Sequence, residues 1–369
     1  MNFIFIYFSN HFRTDFLISP SKTLLLTNSG GQDSTVLFLM LFILRKQYNY
    51  NLINIYCNHL WQVASLQLII QLSRIHFAQK MNFIIITPFF DLKNENTSRN
   101  WRYSVLTRLS CFSSFEYTIV GHTSTDQIES FLLNICRGAG SLGLTTLKRE
   151  KINFFTKFIC FSEKKKKMSF FSNLLTNQLV SNSIWSLIYR PLFTFNRFEI
   201  YQFYSILNLP IWTDQTNFNL NYRRNRIRFE LLPYLRFYLN PNVDIALLRC
   251  IQNISYESNF LKKLTLKTFN MSSHCANNCT NDLILYNYSQ FQKYPYTVQK
   301  SAIISLLIEF KFKCINYNFI HLFLKFIFLI KNQINEPNPQ VFYISNNIIF
   351  GFYGNYIYLC KMKNGSDGI

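Results

Sequence analysis

The sequence predicts an α/β fold, a doubly wound parallel sheet followed by a mostly helical C-terminal region. Two observations carry this. Short apolar runs alternate with helix-length segments through the first half, as in a parallel sheet covered on both faces. A glycine-rich hexapeptide, Ser29-Gly30-Gly31-Gln32-Asp33-Ser34, stands where the first apolar run hands over to a helical one. Glycines let backbone N–H groups close around an anion, and the helix that follows adds its positive N-terminal end. The hexapeptide is neither a Walker loop, since no Gly-Lys-Ser/Thr follows, nor the dinucleotide fingerprint, since its glycines are adjacent.

Thr23–Thr27, Leu52–Cys57, Phe83–Thr87 and Tyr117–Gly121 read as strands, and Ser34–Gln47, Gln62–Gln79 and Ser98–Ser113 between them as helices. Ligands of such a sheet bind at the carboxyl ends of its strands, so the glycine loop and Gly121-His122 are expected to open onto one edge. From Lys148 to Ser183 the pattern gives way to a polar, basic stretch containing Lys164 to Lys167, which reads as a surface insertion serving either solubility or phosphate contact. Helical periodicity resumes at Phe198–Leu207 and Arg226–Tyr238, where Pro233 is expected to bend or end the second helix. A helical unit follows to Ile330. Three strand-like runs, Val341–Ser345, Ile348–Tyr353 and Tyr356–Lys361, close the chain, with turns at Asn346-Asn347 and Gly354-Asn355. The expected division is residues 1–240, a phosphate-binding catalytic domain with the insertion at about 148–183, and residues 241–369, a helical, basic region suited to gripping RNA.

The 369 residues exceed one typical core. The 38 Lys and Arg outnumber 18 Asp and Glu, and a formal charge of +20 points to a polyanionic partner. Nine irregularly spaced cysteines argue against a disulfide framework and for a reducing compartment. Cys275 and Cys279 lie close together beside His274, but no second pair stands at zinc spacing, so they read as free thiols. The apolar runs Val36–Leu44 and Phe319–Ile330 are too short for a bilayer or broken by Lys325, so no membrane partner is expected. Met1 to Phe8 lack the basic lead and cleavage site of a signal peptide. Abundant Phe, Ile, Asn, Lys and Tyr with scarce Gly and Ala resemble translation from an AT-rich genome such as a plastid's or a mitochondrion's.

His122, Asp126 and Glu129, spaced by four and three residues, would share one face of a helix and point together into the strand-end crevice. Equally, Thr123 and Asp126 could form a capping box with Glu129 complementing the helix dipole. Arg137 and the glycines of Arg137-Gly138-Ala139-Gly140-Ser141-Leu142-Gly143-Leu144 follow, an arginine able to hold a phosphate beside backbone open to close approach.

Taken together, SGGQDS, GHTSTDQIES running into LLNICRGAGSLGL, YRPLF, and WTDQTNFNLNYRRNRIRFELLP resemble, in order from about Leu24 to Pro233, the successive motifs of the tRNA(Ile)-lysidine synthetases of the PP-loop ATP pyrophosphatase family, and with the composition the chain resembles an organelle-encoded type. Asn58-His59-Leu60 and Arg99-Asn100-Trp101-Arg102-Tyr103 fit as well. The chain departs from the pattern at Thr125, where many members carry a further acid, at Trp61, and in a longer insertion before Arg190.

The resemblance implies a PP-loop, adenine nucleotide alpha hydrolase-like fold and a carbon–nitrogen ligase. Such an enzyme uses ATP and Mg²⁺ to adenylate the wobble cytidine of a tRNA(Ile) with a CAU anticodon. L-lysine then displaces AMP at carbon 2, and decoding changes from AUG to AUA. It further implies ATP binding by Ser29, Gly30, Gly31, Gln32, Asp33 and Ser34, with Asp33 holding Mg²⁺. Asp33, Asp126 and Glu129 are implied as catalytic, Arg102, Asp126 and Glu129 as the lysine site, and Arg137, Arg224, Arg226 and Arg228 as tRNA contacts. With the composition, it implies a plastid stroma location. The sequence leaves the oligomeric state open, a homodimer included. A cytidine thiolase of the same loop class is disfavoured because no Cys-x-x-Cys occurs. A non-catalytic tRNA-binding protein is disfavoured by the intact acidic residues.

Overall fold

The computed structural model describes the chain apart from residues 1–2, 16–21, 61–64, 93, 113–114, 116, 146, 148–149, 156–183, 208–211, 213–214, 269–282, 310–316, 334–339, 346–347, 354–355 and 362–369. Lys164 to Lys167, Trp61, Asp214, the His274/Cys275/Cys279 group and the turns at 346–347 and 354–355 therefore lie outside the described residues. Two compact units are present, Met1–Arg137 with Thr146–Leu248, and Gly138–Thr145 with Arg249–Ile369. The expected division at 240 falls just short of this boundary, which lies inside a helix, Val243–Thr268.

The first unit opens with α1 (Phe3–Asp15), β1 (Thr23–Thr27), α2 (Gln32–Tyr48), β2 (Asn51–Cys57), α3 (Ser65–Ala78), β3 (Asn82–Ile86), α4 (Glu95–Phe112), β4 (Tyr117–Ile119) and α5 (Ser124–Cys136). After a short helix α6 (Ser141–Leu144) of the second unit come β5 (Glu150–Phe155), β6 (Ile184–Tyr189) and α7 (Arg197–Leu207). The sheet runs β3-β2-β1-β4-β6-β5. β3, β2, β1, β4 and β6 are parallel, and β5 closes the edge antiparallel to β6. The four strands read from sequence are present. β5 and β6 were not foreseen, because they flank the biased basic stretch and masquerade as its ends.

Burial explains why β1 is central. Leu24 and Leu26 enter the core on one face with α1 and α2, whereas Leu25 joins Ile55, Leu106 and Phe115 on the other. The alternation is the two-residue period of a strand, and both faces being covered explains an all-apolar centre. α1, also unforeseen, belongs to the first core: Phe5, Phe8 and Phe12 are buried, and Phe8 and Phe12 meet Phe195, Tyr48 and Tyr50.

From Arg223 the backbone stays helical but changes its winding. An α-turn at Arg223–Arg226 passes into a π-turn at Ile227–Leu231, an α-turn at Leu232–Tyr234 and a second π-turn at Leu235–Leu239. Pro233, expected to bend or end this helix, lacks the N–H that an α-turn needs, and the wider winding around it lets the helix continue. Ile128 of α5 and Ile227 and Leu232 of this helix share one small core.

In the second unit the helices Tyr296–Glu309 and Tyr317–Gln333 pack about Phe291, Ala302, Ile303, Leu307, Leu324 and Ile327. They are joined by an antiparallel sheet of β7 (Leu283–Asn287), β8 (Gln340–Ser345), β9 (Ile348–Tyr353) and β10 (Tyr356–Lys361), in the order β7-β10-β9-β8. The last three strands match the sequence reading, and β7 adds a fourth. No helix among the described residues is long and apolar enough to cross a membrane.

Candidate nucleotide and amine site

β1 lies between β2 and β4, so the chain winds outward one way through β2 and β3 and returns on the other side at β4. This reversal leaves a crevice at the carboxyl ends of β1 and β4, where such sheets take their ligands. The hexapeptide follows β1 there. Gly30 has φ +75°, and a Cβ on it would come within 2.4 Å of Leu68 Cδ1. Its N–H donates to Asn28 Oδ1 at 2.9 Å, and its carbonyl accepts from Trp212 N–H at 3.0 Å. Ser34 Oγ donates to Gly31 O at 3.0 Å and accepts from Ser29 N–H at 3.2 Å, cross-bracing the loop. Gly31 caps α2 without a side-chain bond, so the first-turn amides face outward as an anion cradle. On the far side a Cβ on Gly121 would lie 3.3 Å from Ser34 Cα, which is why backbone there meets backbone.

The loop lines a cleft of about 590 Å³ shared with Cys57, His59, Arg102, His122, Arg197 and Arg228. Asp33 Oδ2 accepts from Arg197 Nη2 at 2.8 Å. Its Oδ1 is buried and finds no hydrogen-bond partner among the described residues. Burial pushes the Asp33 carboxyl above the ordinary carboxylate range, against the pull of Arg197. An orphaned carboxylate oxygen beside a phosphate cradle suits Mg²⁺, which binds through one or two carboxylates plus substrate phosphates. Among the described residues no group of three or more His, Cys, Asp or Glu side chains converges as a metal cage.

An adjoining chamber of about 330 Å³ is lined by Asp126, Arg102, Arg197, Arg224 and Arg228 among others. Asp126 caps α5: Thr123 N–H donates to Asp126 Oδ2 at 2.9 Å, and Asp126 N–H to Thr123 Oγ1 at 3.4 Å. Asp126 Oδ1 accepts from Arg224 Nη2 at 2.9 Å, with Arg228 Nη2 at 3.6 Å and Arg197 Nη2 at 4.0 Å. Burial alone would raise this carboxyl, but Arg224, Arg197, His122 and the Thr123 N–H together hold it well below the usual carboxylate range. The capping box expected of Thr123 and Asp126 is present, made through Oδ2, and Asp126 also lines the chamber.

Several expected placements change. His122 precedes the helix instead of riding on it, because Thr123 is the N-cap. Its Nδ1 accepts from Arg190 Nε at 3.2 Å. Burial, with Arg190, Arg102 and Arg224 nearby, pushes the imidazole well below its ordinary range despite Asp126. Glu129, expected to bind an ammonium, is fully buried and lines neither chamber. Arg224 Nε reaches its Oε2 at 2.6 Å, while Arg228 reaches Oε1 at 2.6 Å and Oε2 at 2.9 Å. Arg224 and Arg228, expected on an RNA-facing surface, turn inward to these carboxylates. Arg226 is exposed, with Nε donating to Leu220 O at 2.8 Å, and Arg137 is exposed at the C-cap of α5. Arg102, expected at the lysine site, lines both chambers. Gly138 has φ +69°, but a Cβ added to it or to Gly140 would meet no heavy atom within 4 Å, so only Gly138's conformation asks for glycine.

Arg197 was missed by sequence reasoning, although a signal existed. A cation in the first turn of a helix opposes the helix dipole, so Arg197 at the start of α7 needs another reason to be there.

A phosphate cradle at the switch point of a parallel sheet defines the class: an α/β domain of the nucleotide-binding kind, with a carboxylate-containing chamber on the same edge. Residues 7–235, more than half of the chain, match the PP-loop domain family. The chain is 34% identical over 66% of its length to "tRNA(Ile)-lysidine synthase, chloroplastic" of Nephroselmis olivacea, spanning 60% of that protein. It is 30% identical over 69% of its length to "tRNA(Ile)-lysidine synthase" of Synechocystis sp., spanning 71% of it. Among solved structures the U34-tRNA thiolase NcsA from Methanococcus maripaludis aligns with TM-score 0.51 at 15% identity, covering 68% of this chain and 78% of that one, a likeness of fold alone. The chain belongs to the PP-loop ATP-using family, among the tRNA(Ile)-lysidine synthases.

Proposed function

We propose that the chain ligates L-lysine to carbon 2 of the wobble cytidine in a CAU-anticodon tRNA(Ile), using ATP and passing through an adenylated tRNA. The observation that carries this is the opening of the phosphate loop and the Asp126 chamber onto one sheet edge with Arg102 and Arg197 shared between them. Loop amides and the α2 N-terminus hold the pyrophosphate portion of ATP. Asp33, with its orphaned Oδ1, would hold Mg²⁺, which neutralises phosphate charge as the α-phosphorus is attacked. The cytidine takes the adenylyl group and pyrophosphate leaves.

Asp126, ionised at neutral pH, faces the chamber and draws in the lysine ammonium, with Arg102 placed for the lysine carboxylate. A carboxylate held so low is an anchor rather than a proton acceptor. Glu129 acts one layer beneath, fixing Arg224 and Arg228 so that Asp126 keeps its orientation. The ammonium gives its proton to water in the chamber, the neutral ε-nitrogen bonds to carbon 2, AMP departs with the electron pair of the carbon–oxygen bond, and the proton left on the nitrogen passes to water. Arg226 and Arg137, both exposed, serve the tRNA backbone. Chloroplastic relatives, together with a residue bias like that of translation from an AT-rich genome, support a plastid location. Against a thiolase stands Cys57, the cysteine in the cleft: burial, opposed by Arg102, pushes its thiol up to about 11, so the thiolate that sulfur transfer needs is scarce.

The test is incubation of purified protein with an unmodified CAU tRNA transcript, ATP and labelled lysine. Lysine-dependent label in the tRNA with equimolar AMP release is expected; ATP turnover that proceeds without lysine entering the tRNA would overturn the assignment.

A further inference from the structure

Arg197 stands at the junction of the two chambers and is held there by its backbone. Its N–H donates to Thr125 Oγ1 at 3.2 Å, and its carbonyl accepts from Gln32 Nε2 at 3.3 Å. Backbone position is thus tied to both the phosphate loop and the first turn of α5, while the side chain remains one-third exposed and lines both cavities. Its guanidinium bonds Asp33 Oδ2 at 2.8 Å and lies 4.0 Å from Asp126 Oδ1. The carboxylate suited to a metal is therefore half occupied by a guanidinium and half without a partner. Thr125, the position where the family often has another acid, is neutral here and anchors Arg197 rather than competing for it.

We infer that Arg197 is a movable cation that holds Asp33 before nucleotide binds and turns to the α-phosphate of ATP when Asp33 takes up the metal. The inference rests on the nucleotide reading of the cleft. If pyrophosphate occupies the loop and the amine occupies the Asp126 chamber, the α-phosphorus lies between them, where Arg197 already sits. A guanidinium is a planar fork that matches two phosphate oxygens and keeps its proton throughout. As the cytidine oxygen bonds to phosphorus and the bond to the bridging oxygen breaks, pyrophosphate carries off the electron pair. Arg197 then faces the charge that grows on the non-bridging oxygens. The backbone anchors mean that only the side chain has to turn.

The test uses Arg197→Gln and Arg197→Lys in the full chain, with folding checked by thermal melting. The first readout is Mn²⁺ affinity, by electron paramagnetic resonance, for the protein with α,β-methylene-ATP, which cannot be cleaved at the reacting bond. The second is single-turnover formation of adenylated tRNA without lysine. With a competitor for Asp33 removed, Arg197→Gln should bind Mn²⁺ at least as tightly as the parent while adenylating about 100- to 1,000-fold more slowly. Arg197→Lys, keeping the charge, should recover part of that rate. A scaffolding role predicts the opposite sign, Mn²⁺ affinity falling together with the rate, and that result overturns the inference, as does a rate within about threefold of the parent. Should Arg197→Gln not fold, the same two readouts on Arg197→Lys decide, since a shorter cation leaves Asp33 less occupied and the phosphate less well bound. If the parent protein adenylates no tRNA at all, the functional assignment falls, and the Mn²⁺ measurement alone decides the exchange at Asp33.

Discussion

At the scale of single residues the site is a network of carboxylates and arginines in which each group has a separate electrical task. Asp33 is raised by burial, Asp126 is depressed by its arginines, and Glu129 is sealed beneath them. Asp33→Asn is expected to abolish adenylation and leave tRNA binding within about twofold, because the phosphates need the metal-holding charge whereas RNA affinity is spread over many cations. ATP–pyrophosphate exchange and filter binding measure the two. Glu129→Ala removes the buried carboxylate that both guanidiniums grip and leaves Arg224 and Arg228 to share Asp126 alone, and breaking a buried pair in this way costs about 3–5 kcal/mol. A melting temperature lowered by less than a few degrees would show that Glu129 is no structural anchor. The depressed Asp126 carboxyl has a defined sign with pH. Its stabilisation is complete above its unfolded value of about 3.9 and drains away as pH falls through the lower folded value. Asp126→Asn should accordingly flatten the acid limb of unfolding below about pH 4 while removing a constant amount of stability at neutral pH. The residue types at Asp33, Asp126 and Glu129 were legible in the sequence, but their partners were not: Arg224 and Arg228 lie almost a hundred positions from Asp126 and Glu129, and no local spacing says that a basic run will turn inward.

At the scale of elements the loop is held by conformation as much as by contact. Gly30→Ala would force a side chain into φ +75° and place its Cβ against Leu68. The neighbour is the far end of a flexible side chain, so Leu68 can shift or be trimmed to alanine, but the backbone strain of roughly 1–2 kcal/mol stays. ATP affinity should therefore fall in Gly30→Ala and recover only in part in the double variant with Leu68→Ala, as calorimetric titration with α,β-methylene-ATP would show; full recovery would mean the clash alone mattered. The strand–helix alternation around the loop was readable because hydrophobic period and glycine punctuation agreed there. α1 escaped because an unbroken apolar run such as Phe3 to Phe8 carries no period until one knows which side chains the core takes in. The π-turns on either side of Pro233 escaped for a different reason: sequence states that an α-turn must fail at proline, not what replaces it.

At the scale of the whole molecule the surplus of 38 cationic over 18 anionic side chains is the largest unassigned quantity, and not all of it can serve RNA. Arg224 and Arg228 are committed to carboxylates, so they neutralise internal charge and release no counterions when a nucleic acid arrives. Arg226 and Arg137 are exposed and free of any carboxylate bond among the described ion pairs, so each can displace a counterion from a phosphate. The log of tRNA affinity should fall steeply and linearly with the log of salt concentration, with a slope of about −0.7 to −0.9 per phosphate neutralised. Arg226→Ala and Arg137→Ala should each make that slope shallower by about one contact's worth and weaken cognate and non-cognate tRNA alike. Arg224→Ala should leave the slope unchanged even where it lowers activity or stability. If Arg224→Ala instead flattens the slope as Arg226→Ala does, the inward pairing with Asp126 and Glu129 opens when tRNA binds, and the basic helix beginning at Arg223 is an RNA contact along its whole face.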